Sequence, residues 1–127
     1  MTCVWDALRT KIRSDDLRTI LGLQAPTPRD LVMALKSRNI ATVGVRWQGK
    51  PITTTEMTEN MKAIECHDVN SISNGYDMSV CDPYLLLVCF LFKIRIVHQY
   101  LSTRIVYEPP VPPRYELQFA NNQGHFW

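Results

Sequence analysis

Apolar residues fall at near-helical spacing from the start of the chain. Val4, Ala7, Leu8, Ile12, Leu17, Ile20 and Leu21 predict one or two helices over Cys3 to Leu21. Ser14-Asp15-Asp16 interrupts the pattern. Ser14 is placed to cap a second helix, with the two aspartates in its first turn and Gly22 as its stop. Thr27-Pro28 opens a third helix, with Thr as N-cap and Pro in the first helical position. It carries Leu31, Val32 and Leu35 and runs to about Lys36–Arg38. Ala41 to Trp47 alternates only in part and fits a strand or a loop. A threonine of Thr53-Thr54-Thr55 caps a helix bearing Met57, Met61 and Ile64.

Cys66 to Val80 is polar, with Asn74-Gly75 as a turn. Asp82-Pro83 repeats the capping logic of Thr27-Pro28 and predicts a helix from Tyr84 to about Phe92. This helix is apolar on nearly every face, the pattern of a central core helix. Ile94 to Tyr100 reads as an inner strand, and Arg104 to Tyr107 as its hairpin partner across Ser102-Thr103. A proline-rich connector, Pro109 to Pro113, precedes a third alternating segment, Arg114 to Ala120. That segment carries Tyr115, Leu117 and Phe119 on one face. Asn121 to Gly124 is a turn. Helices first, then a small mostly antiparallel sheet after a buried helix, make an α+β domain.

Composition narrows the function classes. The chain has 127 residues, 46% hydrophobic and 20% charged, which suits one globular domain with its own core. A net charge of +2 gives no support for a dense basic nucleic-acid surface. The longest apolar run, Tyr84 to Phe92, is short of the ~20 residues of a spanning helix. The N-terminal stretch lacks the pattern of a secretory leader. Cys3, Cys66, Cys81 and Cys89 form no CxxC pair and are expected as reduced thiols in a cytoplasmic setting.

Two positions invite chemistry. Cys3 stands at the start of a predicted helix, where the dipole and free N–H groups favour a thiolate and can stabilise an oxyanion. His125 follows Gly124 near the end of the chain, at the rim of the predicted sheet. A Cys on a helix start and a distant His on a strand end is the arrangement of a papain-like nucleophile and base. Cys66-His67-Asp68 with Cys81 is a weaker pattern for zinc, because no short ligand pair repeats. His98 and Trp5 read as core residues. Asn121 and Asn122 read as turn formers, Asn122 being the candidate to orient His125. Pro109–Pro113 could dock an SH3-type partner but reads better as a connector.

Cys3-Val4-Trp5-Asp6-Ala7-Leu8 resembles the nucleophile motif of ovarian-tumour (OTU) cysteine peptidases: Cys, an apolar residue, an aromatic, any residue, then Ala or Ser. Gly124-His125-Phe126 is similar to the family's C-terminal His followed by an aromatic. Between them, Asp82 to Cys89 and then Ile94 to Val97 resemble the family's buried helix leading into a core strand. The likeness spans nearly the whole chain in the right order, and a divergent viral member fits best.

The resemblance implies an OTU-like, papain-like fold in a single domain over 1–127, and a thiol hydrolase acting after the C-terminal glycine of ubiquitin or a ubiquitin-like protein. It implies Cys3 as nucleophile and His125 as general base, with the Cys3 backbone N–H and the Thr2 backbone shaping the oxyanion hole. It implies no cofactor, no metal, no nucleic acid and no membrane, in the host cytoplasm for a viral protein.

Two departures stand out. Only Met1-Thr2 precede Cys3 where the family has an Asp-Gly-Asn loop, and Trp127 stands where an Asp or Asn often orients the His. They suggest a domain excised from a longer polyprotein. Two alternatives follow: a polyprotein-processing protease, and an inactive ubiquitin-binding module.

Overall fold

A computed structural model describes residues 3–74 and 78–121. The chain is α+β, with five α-helices and a five-stranded mixed sheet among the described residues. The helices are α1 (Cys3–Lys11), α2 (Ser14–Leu21), α3 (Pro28–Ser37), α4 (Thr54–Cys66) and α5 (Met78–Phe92), with a 3-10 turn at Val69–Asn74. The strands are β1 (Arg46–Trp47), β2 (Lys50–Pro51), β3 (Arg95–Tyr100), β4 (Thr103–Glu108) and β5 (Glu116–Asn121).

Local chemistry sets several boundaries. Thr27 and Thr53 both make capping boxes. The Thr27 hydroxyl accepts from Asp30 N–H and the Asp30 carboxylate accepts from Thr27 N–H; Glu56 does the same for Thr53. Gly22 ends α2 in the left-handed region, as its position predicts. Ser14 is not a cap. Arg13 occupies the N-cap position without a side-chain cap, and Ser14 is the first helical residue.

The start of α5 is a second correction. The helix already includes Met78, so Asp82-Pro83 does not open it and Pro83 lies inside. Proline has no N–H to give to the Ser79 carbonyl, so the helix lacks that one hydrogen bond. From Tyr84 to Cys89 every residue is buried, so α5 is the core helix that its apolar pattern predicts. Helices α2, α3 and α4 and strands β3 and β4 all pack on it. Lys93, at φ +57°, turns the chain from α5 directly into β3.

The sheet order is β2-β1-β4-β3-β5. Only β3 and β5 run parallel; the other three pairs are antiparallel. Ile96 and His98 of β3 face the core in register with Leu117 and Phe119 of β5 and with Tyr107 and Ile105 of β4. Arg46-Trp47 and Lys50-Pro51 form a small hairpin that the sequence pattern does not show. Its turn places Gln48 at φ +55° and Gly49 at φ +78°, the hand that suits a two-residue hairpin.

The proline-rich connector carries the chain across the start of β3, from the end of β4 to the start of β5. It is pinned by Arg95 N–H to Tyr115 O at 3.0 Å and Arg114 N–H to Lys93 O at 2.9 Å. It also presses on Gly44, which sits at φ +84°; a Cβ there would stand 2.8 Å from Pro110 Cβ. Gly44→Ala therefore meets both a disfavoured backbone and a stiff ring. It is expected to cost about 3 kcal/mol, read from urea unfolding.

Candidate functional site

Cys3 is the first described residue of helix α1. Its apolar face is fully engaged: Val4, Trp5, Leu8 and Ile12 are buried in the main core. Trp5 packs edge-on against Tyr84 of α5, with ring centroids 4.8 Å apart. The Tyr84 hydroxyl lies 3.0 Å from His67 Nδ1, and burial pushes the Tyr84 phenol well above its usual pKa. Trp5, His67 and Tyr84 thus form a buried aromatic floor beside the first turn of α1. This agrees with Trp5 as a core residue.

The last residue of α1 touches β5: Lys11 Nζ donates to the Gln118 carbonyl and lies 4.8 Å from the Phe119 ring centroid. Two residues on, past the end of α1, the Arg13 guanidinium stands 4.0 Å from the Tyr115 ring centroid, and Arg13 N–H donates to the Tyr115 hydroxyl at 3.4 Å.

The Cys3 side chain, Thr2, Asn122 and His125 lie outside the described residues.

The other thiols and histidines have different roles. Cys89 is buried in the core, and burial, helped by the Glu108 charge, pushes its thiol to about 12, which makes it unreactive at neutral pH. Cys66 is exposed. His67 is buried, with its Nδ1 3.0 Å from the Tyr84 hydroxyl, and the Cys81 side chain of the zinc pattern lies outside the described residues. Among the described residues no group of three or more His, Cys, Asp or Glu side chains could hold a metal ion. His98 is fully buried in β3, in keeping with a structural role.

A second polar cluster was not legible in the sequence. Asp16 is buried, accepts from Arg114 Nη2 at 2.9 Å and Nη1 at 3.2 Å, and also accepts from the Tyr115 hydroxyl. Arg114 Nη1 further donates to the Phe92 carbonyl at 3.0 Å. This cluster ties α2, the end of α5 and the entry to β5 together. It also occupies the basic residue after the prolines, and Pro109 is buried, so the segment serves as a connector. Among the described residues no helix is long and apolar enough to cross a membrane. Searches against protein-family models, curated proteins and solved structures find no match to this chain.

Proposed function

We propose that the chain is an OTU-like cysteine peptidase that hydrolyses isopeptide or peptide bonds after the C-terminal glycine of ubiquitin or a ubiquitin-like protein, in the cytoplasm of a host cell. The observation that supports this reading is the order of elements along the chain: α1, which includes Cys3, then the buried helix α5 leading directly into β3, then β5 ahead of His125 in sequence. The Cys-Val-Trp-Asp-Ala and Gly-His-Phe motifs supply the chemistry at the two ends of that order.

In the proposed reaction the Cys3 thiol gives its proton to the His125 imidazole, and the thiolate attacks the glycine carbonyl carbon. The negative oxygen that forms is held by the Cys3 backbone N–H, at the positive end of α1, with the Thr2 backbone beside it. His125 then returns its proton to the departing amine as the C–N bond breaks, leaving a thioester on Cys3. Water, losing a proton to His125, attacks the thioester. The substrate leaves as a carboxylate, and His125 reprotonates the thiol. Asn122 is placed in sequence to hold the imidazole.

The test is a ubiquitin carrying a C-terminal propargylamide, incubated with the full chain under reducing conditions. A covalent adduct mapped to Cys3 is the expected result. No adduct, or an adduct on Cys66, would contradict the reading.

A further inference from the structure

The outward face of the sheet carries a depression with a built charge bias. Val97 of β3 and Ala120 of β5 are short, and Gln99, Gln118 and Arg104 rise around them. In the register of the sheet Gln99 stands between Arg104 and Ala120, and Val97 beside Gln118. Lys11, reaching over the free edge of β5 from α1, closes the other side. The result is a groove of about 430 Å³. Its floor is apolar at Val97, which is 7% exposed, and its two ends are cationic.

None of the described lining residues is acidic. The neighbouring carboxylate, Glu116, is engaged by Arg95 at 2.6 Å and by Gln118 Nε2 at 2.8 Å. Arg104 forms no ion pair among the described residues, though its charge acts on Glu116. Lys11 uses one of its three donors on the Gln118 carbonyl. Burial lowers its pKa, as expected of a cation held partly out of water. Gln99 and Gln118 each give one amide N–H to a protein acceptor, at Leu101 O and Glu116. Positive charge at both walls over an apolar floor is complementary to an extended segment that alternates carboxylates with apolar stems.

We infer that this groove on the outer face of β3, β4 and β5 is a docking site for an acidic segment of a partner protein. The inference does not depend on the hydrolase reading, because it uses neither Cys3 nor His125. It adds a specificity element on the strand that leads to the proposed base.

Titrating the isotope-labelled full chain with a hexaglutamate peptide tests it by NMR. The expected result is amide shifts confined to Gln99, Arg104, Gln118, Ala120 and their neighbours, weakening as salt is added. Arg104→Gln, a surface change that leaves the fold intact, is expected to weaken binding about fivefold, and Lys11→Gln by a similar factor. A hexalysine peptide is expected to leave these amides unmoved. Shifts spread over other basic surfaces, affinity unchanged in Arg104→Gln, or equal response to hexalysine would each overturn the inference.

Discussion

Replacing Cys3 with alanine is expected to lower kcat/KM on ubiquitin–aminomethylcoumarin by about 10⁴-fold or more while leaving the unfolding midpoint unchanged. The reason is chemical: alanine has no thiol to attack the carbonyl, and the helix start tolerates the change. His125→Ala is expected to cause a loss of the same order, because a nucleophile and its base act as a unit. The double variant is then expected to be little worse than either single one. Independent, multiplicative losses would argue that the two residues do not share a step. Cys66→Ser, by contrast, removes an exposed thiol with no place in the mechanism and should leave turnover as it is.

Asp16→Ala is expected to cost about 3 kcal/mol of stability and roughly 10 °C in Tm. It removes the acceptor for both Arg114 nitrogens and for the Tyr115 hydroxyl. Partial exposure of Arg114 moderates the cost, since water can solvate the released guanidinium.

The cluster also predicts a pH dependence. Burial alone would raise the Asp16 pKa, but the hydrogen bonds from Arg114 and Tyr115 and the charges of Arg114 and Arg13 outweigh it and hold the carboxyl below its usual value. A folded-state pKa below the unfolded one gives stability that is present above about pH 4 and is lost as pH falls through the folded value. The gap between wild type and Asp16→Ala in urea unfolding should therefore be widest near neutrality and shrink below about pH 4. A gap that stays constant with pH would mean that the carboxylate's charge is not what holds the cluster.

How much was legible in the sequence depended on how local the cause is. The Thr27 and Thr53 caps depend on residues three apart, so their motifs were sufficient. The apolar run of α5 had no polar face to expose and so read as core. The α5 start was misread because Asp-Pro looks the same at a helix beginning as one turn inside it. Asp15 and Asp16 read alike as first-turn acids. Asp15 does pair locally with Arg18, at 2.5 Å on the surface, whereas Asp16 is buried because Arg114, distant in the chain, is folded onto it. The β1–β2 hairpin has strands of two residues each, too short for a period to show.

The candidate site divides in the same way. A helix carrying Cys3 follows from local pattern, and α1 includes that residue. The contacts of Lys11 and Arg13 with Tyr115, Gln118 and Phe119 join the two ends of the chain, and no window of sequence contains them. The parallel pairing of β5 with β3 is equally non-local. It requires the Pro109–Pro113 connector to cross the start of β3, which composition alone could mark as stiff but not aim.

The central claim, a Cys3–His125 pair, is tested most directly by the pH dependence of Cys3 alkylation with iodoacetamide, followed site by site by mass spectrometry. This needs no assumption about the substrate. The account predicts a Cys3 reaction that persists at about pH 6, with an apparent pKa well below the ~8.5 of a free thiol, and that returns toward ~8.5 in His125→Ala. An apparent pKa at or above ~8.5 in wild type, unmoved by His125→Ala, would contradict it.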